Sequence, residues 1–510
     1  MAEQPPWEDL PALCWEEVLR RLVSADDLES VSSVCKRLLH ISSTLRSSLS
    51  INHLQTNHLQ TRRYVGSLLR RFTSLKSIDL SSFHGDPSSV LLQIAQFPLP
   101  LDRLDLSNQE SLRFGGLREM GSKFGALRVL VLSRIGLLGD ADLVSIAECF
   151  PALEELDISY PLQSDSARVT DDGISDLSRE LQRLSRMNLS GNRSLSDRSL
   201  VVLSVNCPSL REINFTGCGL ITGRGIASLI VNRPHLVSLA LDYKTLGADL
   251  CEELVDSFGH ARGFISLDFS GSFIWDGLLM AVAEANIPLK RLILSHALGL
   301  ELEAVRFLTD DDMSVICEYL RSLTHINIMR YLRIPYNGKL TDECLKKIGR
   351  MCPNLQYLDV SNCLKITGDG ISGVLKSCPE ICYLKISGLE NIRNLRIDIE
   401  LPRLEVLQAE GLKLNEEQLA AFISRCCHLK NLNLMDSVHP SNKGVKKLMK
   451  NCYTLRGINQ RNYNYGRGDF PFSDWELSMR SSLRRIVPPS GLVSSKSRDF
   501  FLKHWLSRQG

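Results

Sequence analysis

Apolar residues recur along most of this chain in the order L-x-x-L-x-L. LKSIDLS begins at Leu75, LDRLDLS at Leu101, LRVLVLS at Leu127 and LEELDIS at Leu153. LSRMNLS follows at Leu184, LREINFT at Leu210, LVSLALD at Leu236, FISLDFS at Phe264 and LKRLILS at Leu289. LTHINIM at Leu323, LQYLDVS at Leu355, ICYLKIS at Ile381, LEVLQAE at Leu404, LKNLNLM at Leu429 and LRGINQR at Leu455 complete the series. Over these fifteen units the commonest step is 26 residues, with three long steps of 31, 34 and 32. Apolar residues at the first, fourth and sixth places predict a short strand with one buried side. The second half of a unit, such as GISGVLKSC after Asp369, has apolar residues at helical spacing. Thr341-Asp342, Ser196-Asp197 and Asn415 stand where helix N-caps are expected.

A strand-turn-helix unit cannot bury its apolar side alone, so neighbouring units must stack. The predicted fold class is therefore α/β. A curved leucine-rich-repeat solenoid of about fifteen units spans residues 75–465, with parallel strands on its concave wall and helices on its convex one. The extra residues of the long steps fall between strand and helix, in YPLQSDSARVTDDG, HALGLELEAVRFLTDDD and MRYLRIPYNGKLTDE. Such insertions rise from one rim, where binding loops sit. Residues 466–510 leave the register and are expected to cap the open end and to supply a tail.

Residues 7–50 do not follow the repeat. They are preceded by a disordered start (1–6) and followed by a linker or capping helix (51–74). Trp15, Val18, Leu19 and Leu22 lie at i, i+3, i+4 and i+7, one face of an amphipathic helix. Ser24 and Asp27 are spaced as a capping box, and Leu28, Val31, Val34, Cys35 and Leu38 mark a second apolar face. So short a helical segment has too little area for a robust core of its own and should lean on a partner or on the solenoid. Leu10-Pro11, then Leu19, an Asp26-Asp27-Leu28 turn and Val34-Cys35-Lys36-Arg37 resemble the F-box, although Leu38 stands where many F-boxes have tryptophan. The repeats resemble the cysteine-containing, plant-like leucine-rich repeats of F-box/LRR proteins. The motif residues are Cys352-Pro353-x-Leu355, Asn362-Cys363 and Ile366-Thr367-x-x-Gly370-Ile371, and likewise Asn206-Cys207-Pro208 through Ile226.

That resemblance covers nearly the whole chain. It implies a non-catalytic substrate-recognition adaptor of an SCF-type cullin-RING ubiquitin ligase. A Skp-type adaptor would dock on Leu10, Pro11, Cys14, Trp15, Val18, Leu19, Leu22, Val34 and Lys36, and would link the chain to a cullin and a RING protein. The solenoid would hold an unidentified substrate protein and raise the effective concentration of its lysines. Two alternatives stay open: a small-molecule-gated F-box receptor, and a repeat scaffold without ligase coupling. A polyphosphate site for the former needs converging cations, yet the inward basic residues Arg103, Arg186, Arg291, Lys385 and Arg461 are separated by many units.

Composition narrows the picture further. A net charge of +2 gives no reason to expect nucleic acid, and no run of apolar residues is long enough to span a membrane. With no secretory signal pattern, the chain is expected in the cytoplasm or nucleus with its 15 cysteines reduced. No G-x-S-x-G, Walker, H-E-x-x-H or Rossmann pattern is present, and no cofactor or metal is called for. Cys207, Cys352, Cys378, Cys426 and Cys452 stand three places before a repeat, and Cys218 and Cys363 at the ninth place, so the cysteines read as packing positions. The third, fifth and seventh places of each unit should face the concave wall. That wall grows larger and more aromatic from about residue 325. The candidate substrate contacts are His325, Asn327, Met329, Tyr357, Asp359, Tyr383 and Lys385, together with Arg330, Tyr331 and Arg333 of the adjoining loop.

Overall fold

The computed structural model describes residues 10–21, 30–51, 58–109, 114–162, 168–241, 252–270, 273–274, 276–294, 298–301, 304–307, 310–327, 340–392, 395–434, 457–461, 474–479 and 486–487. It forms two units, Met1–Leu236 and Val237–Gly510. Both are built of stacked strand-turn-helix repeats, the leucine-rich-repeat fold.

In the first unit, β1 (Ser48–Ser50), β2 (Ser77–Asp79), β3 (Arg103–Asp105), β4 (Val129–Val131), β5 (Glu155–Asp157), β6 (Arg186–Asn188) and β7 (Glu212–Asn214) follow in order. Each pairs in parallel with the next. The second unit contains β8 (Ser238–Ala240), β9 (Ser266–Asp268), β10 (Phe273–Ile274), β11 (Arg291–Ile293), β12 (Leu298–Glu301), β13 (Ala304–Phe307) and β14 (His325–Asn327). It continues with β15 (Tyr357–Asp359), β16 (Tyr383–Lys385), β17 (Val406–Gln408), β18 (Asn431–Asn433), β19 (Gly457–Arg461), β20 (Asp474–Met479) and β21 (Ile486–Val487). Its parallel ladder runs β8-β9-β11-β14-β15-β16-β17-β18-β19. Strands lie roughly 4.8 Å apart whereas helices need about 10 Å, so in each unit the strand side is the inner, shorter wall.

The strands of the repeat series all begin at the third place of a unit, with the first, fourth and sixth places buried beneath them. Leu355 and Leu358 are fully buried, as is Val360 at the sixth place. After each strand the chain turns sharply. At the eighth place Asn362 has φ 60° and Gly388 φ 68°, a left-handed conformation that asparagine and glycine accept readily.

Hydrogen bonds between consecutive repeats explain the recurrent motif residues. Thr341, Ser196 and Asn415 cap their helices as expected, accepting from the N–H groups of Glu343, Arg198 and Gln418. The following aspartate serves the next repeat instead. Asp342 accepts from the N–H of Thr367 at 2.8 Å and from its hydroxyl at 2.6 Å. Asp140 does the same for Thr170, Asp171 for Ser196 and Asp197 for Thr222. The carboxylate lies where a Cβ on Gly370 would project, which is why glycine stands three places after Thr367.

The cysteines sit in two further ladders. Cys207, Cys352 and Cys378 are buried at helix ends, and their thiols point at carbonyls of the same place one repeat earlier, Leu181, Leu320 and Cys352. At the ninth place Gln109, Asn192 and Cys218 donate to the sixth-place carbonyls of Leu80, Ile158 and Leu189 in the preceding repeat. Cysteine there is a small donor, interchangeable in role with an amide. No described cysteine is in a disulfide. Cys452 lies outside the described residues.

Three features depart from the expected register. First, the first unit's ladder starts at β1, inside the 7–50 segment assigned to the helical module. Arg46 occupies the first place of this early repeat, where other units have an apolar residue, and its guanidinium lies 4.8 Å over the Phe72 ring. Helix His58–Arg71 follows β1 and overlaps the expected 51–74 element. Second, within the insertion β12 pairs antiparallel with β13, and β12 pairs in parallel with β10. Third, β20 pairs antiparallel with β19, and β21 with β20, so the parallel ladder ends there. The 1–6 start and the remainder of the 466–510 tail lie outside the described residues.

Candidate protein-binding surfaces

Among the described residues, the N-terminal module contains helix Ala12–Arg20 packed on helix Lys36–Leu45, with residues 30–32, also helical, between them in sequence. Leu19, Leu38 and Ile41 form its core, with Trp15, Val31 and Leu45 half-buried against them. Leu19 is 2% exposed, so the structure removes it from the docking list and leaves Trp15 mostly inward. The i, i+4 spacing of Trp15 and Leu19 builds this core, whereas Val18, one step off that face, is 51% exposed. Residues 30–32 are helical, but the chain turns at 33–34 and a separate helix starts at Lys36, because Cys35 is extended (φ −155°, ψ 164°) and its sulfur accepts from the N–H of Leu38. This break turns Val34 and Cys35, expected on the second apolar face, outward.

Leu10, Pro11, Leu13, Cys14, Val18, Val34, Lys36 and Leu39 are all exposed, with Leu13 at 75% and Val34 at 64%. The Arg37 guanidinium donates to the Leu10 carbonyl, tying the Leu-Pro turn to the start of helix Lys36–Leu45. Leu13 and Leu39 were absent from the sequence-based set; only the packing shows which apolar residues are left over. The module also leans on the repeats: Arg71 donates to the Ser43 hydroxyl at 3.1 Å and stacks over Phe72. Leu22 and the Asp26-Asp27-Leu28 turn, with the Ser24/Asp27 capping box, lie outside the described residues.

On the first unit's strand wall the third places form a charge ladder. Glu155 pairs with Arg103 at 3.5 Å and Arg186 at 3.1 Å, and Arg186 reaches Glu212 at 3.5 Å. The fifth places Asp79, Asp105, Asp157, Asn188 and Asn214 each accept from the backbone N–H two residues on, closing the turn after the strand. The seventh places divide: Ser159, Ser190 and Ser361 are buried rather than open on the wall, whereas Ser81, Ser107, Ser133, Thr216, Ser270 and Ser387 are half-buried.

The second unit's wall differs. The register aligns Arg291, His325, Tyr357 and Tyr383 side by side at the third place. The His325 and Tyr357 rings stack at 5.9 Å and the Tyr357 and Tyr383 rings at 4.8 Å, with small interplanar angles. Gln408 donates to the Tyr383 hydroxyl at 2.9 Å and His325 Nδ1 lies 2.8 Å from the Thr324 hydroxyl, so both ends of the stack are held. Burial, aided by the Arg291 charge, pushes the His325 imidazole below its ordinary pKa. Burial and the Asp359 carboxylate push both phenols up, so they remain hydrogen-bond donors.

Asp359 is not an open contact residue, contrary to expectation: its side chain is 1% exposed. Oδ1 accepts from the N–H of Ser361, while Oδ2 has no donor in good hydrogen-bond geometry. Lys385 Nζ lies 3.7 Å from Oδ2 and 5.8 Å from the centre of the Tyr383 ring. Asn327 is on β14 at the fifth place. Met329, Arg330, Tyr331 and Arg333 lie outside the described residues.

Among the described residues, no group of three or more His, Cys, Asp or Glu is placed to hold a metal, and no helix is long and apolar enough to cross a membrane.

No protein-family model matches the chain. Human leucine-rich repeat-containing protein 56 is 36% identical over 126 residues, 24% of this chain and 20% of that protein. The match thus spans about a fifth of that relative's length. Among solved structures, the yeast Rad7 and Elc1 complex aligns at 18% identity and TM-score 0.47, over 63% of this chain and 78% of that one. An internalin of Listeria monocytogenes aligns at 12% identity and TM-score 0.40, over 75% and 96%. The TLR13-ssRNA13 complex aligns at 16% identity and TM-score 0.43, over 82% and 53%.

Proposed function

We propose that this leucine-rich-repeat protein is a non-catalytic substrate-recognition adaptor of an SCF-type ubiquitin ligase, acting in the cytoplasm or nucleus. The N-terminal helices dock a Skp-type adaptor, and through it a cullin and a RING protein. The strand walls of the repeats hold a substrate protein for ubiquitination. The observation that carries the reading is the exposed apolar set of the module, Leu10, Leu13, Val18 and Val34, coinciding with the Leu-Pro and Val-Cys-Lys-Arg segments of the F-box-like motif. Among the described residues the module's core is Leu19, Leu38 and Ile41, while Leu10, Leu13, Val18 and Val34 stay exposed, and a protein partner removes such apolar surface from water.

The residues for this contact are Leu10, Pro11, Leu13, Cys14, Val18, Val34 and Lys36. Leu19 and Trp15 support it from within. Full-length chain expressed with a Skp-type adaptor should co-purify with it. Leu13→Glu with Val34→Glu should abolish the complex while hydrogen exchange in β2–β7 stays unchanged. Leu19→Ala should weaken it only by loosening the module. A well-folded chain that never retains the adaptor, or one whose double variant retains it fully, would sink the proposal.

A further inference from the structure

The second unit's wall contains one arrangement that neither repeat packing nor adaptor docking uses. Asp359 is at the fifth place, where the equivalent residues close the turn through one oxygen. Its second oxygen, Oδ2, is buried with no donor in good hydrogen-bond geometry, the nearby candidates being the Tyr357 hydroxyl and Lys385. A buried carboxylate oxygen left without a hydrogen bond is costly, and such groups are rare in folded chains. Lys385 Nζ, at 3.7 Å, offsets the charge but is beyond hydrogen-bond distance. The Tyr357 and Tyr383 phenols lie close enough to the carboxylate for its charge, added to burial, to push both pKa values up, with the Tyr357 hydroxyl near enough to bond to it, and Lys385 lies near the Tyr383 ring.

We infer that Asp359 and the Tyr357/Tyr383 pair form a recess for the guanidinium of an arginine on a bound polypeptide, and that Lys385 fills this recess in the free chain. A guanidinium supplies forked N–H donors to a carboxylate and a flat face to aromatic rings, which an ammonium does not. Lys385 is half-buried on a flexible four-carbon stem and 27% exposed, so it swings to solvent as the arginine enters. An acidic ligand fits the recess less well. Arg291, Lys385 and the phenols would attract it, but it would face the Asp359 carboxylate and leave Oδ2 without a donor. The inference specifies an anchor for the substrate wall of the adaptor reading. Its assay involves no ligase component, so either can fail without the other.

The test uses full-length chain labelled with fluorotyrosine, with the Tyr357 and Tyr383 fluorine signals assigned by Tyr→Phe variants. Blocked arginine amide, blocked glutamate amide and inorganic phosphate are titrated separately at constant ionic strength. The arginine amide should shift both signals saturably and the two anions should not. Asp359→Asn should weaken arginine binding about tenfold or more, since a hydrogen bond to a charged group is worth about 1.5–3 kcal/mol. This variant keeps the fold, because Asn188 and Asn214 close the same turn through their side-chain oxygens. Lys385→Met removes the competing cation and should tighten binding severalfold. Saturable shifts with glutamate or phosphate instead, weaker arginine binding in Lys385→Met, or no saturable shift with any ligand would each overturn the inference.

Discussion

Helix Gly368–Ser377 contains two interior glycines whose replacement by alanine should have opposite signs. Alanine is favoured over glycine in a helix by about 1 kcal/mol. A Cβ at Gly373 meets nothing within 4 Å, so Gly373→Ala should gain roughly that amount. A Cβ at Gly370 meets the carboxylate and Cβ of Asp342, which belong to the preceding repeat. Displacing that carboxylate breaks its bonds to the Thr367 N–H and hydroxyl. Each such bond to a charged acceptor is worth about 1.5–3 kcal/mol. Thr367 and Asp342 are only half-buried, so water recovers part of the loss and the lower end applies, about 3 kcal/mol for the two. Less the alanine gain, Gly370→Ala should cost about 2 kcal/mol. Repeat arrays open locally, so amide exchange across residues 365–378 is the right measure, and about 30-fold faster exchange corresponds to that cost. Gly373→Ala should slow exchange in the same peptide. In an Asp342→Ala background the Gly370→Ala effect should turn favourable, since the two side chains no longer compete. The ladder argument is refuted if Gly370→Ala slows exchange as Gly373→Ala does.

Three further outcomes follow from the geometry. Burial pushes the Cys207 and Cys378 thiols up to about 12, so alkylation of native chain at pH 8 should spare both and modify exposed Cys14 and Cys35 first; early labelling of Cys207 by mass spectrometry would contradict this. Burial alone would raise the Asp171 pKa, but the hydrogen bonds from Ser196 and Ser199 outweigh it and hold the folded value below 3.8. Its contribution to stability is therefore full above about pH 4 and lost as pH falls further. Asp171→Asn should flatten that acid limb in unfolding midpoints measured from pH 5 to pH 2. Gln109→Leu leaves the buried Leu80 and Phe83 carbonyls without their amide donor and should lower stability by about 1–3 kcal/mol. A lower urea midpoint at unchanged slope is the expected signature; an unchanged midpoint counts against the ninth-place ladder.

Much of this fold was legible in one dimension. Spacing of 26 residues with apolar first, fourth and sixth places located strands β2 to β9, β11 and β14 to β19 at the third to fifth places. Caps at Ser196, Thr341 and Asn415 were readable because a cap is chosen by its own next few residues. The β1 repeat was hidden because Arg46 breaks the apolar signature, and the β12–β13 pair because its pairing follows from no repeat. The cysteine places were legible as packing positions, but the carbonyl each thiol faces was not.

Periodicity fixes local conformation and which side of each element is buried, and those are properties of adjacent residues. Whether a given polar or apolar side chain is used up depends on residues about 25 to 31 places away in the next repeat, as with Asp342 and Thr367 or Glu155 and Arg186. Sequence therefore placed Leu19 and Asp359 on their correct elements. Only the packing of helix on helix and repeat on repeat decided that Leu19 is core, that Leu13 and Val34 are left outside, and that Asp359 is buried with one oxygen unmet.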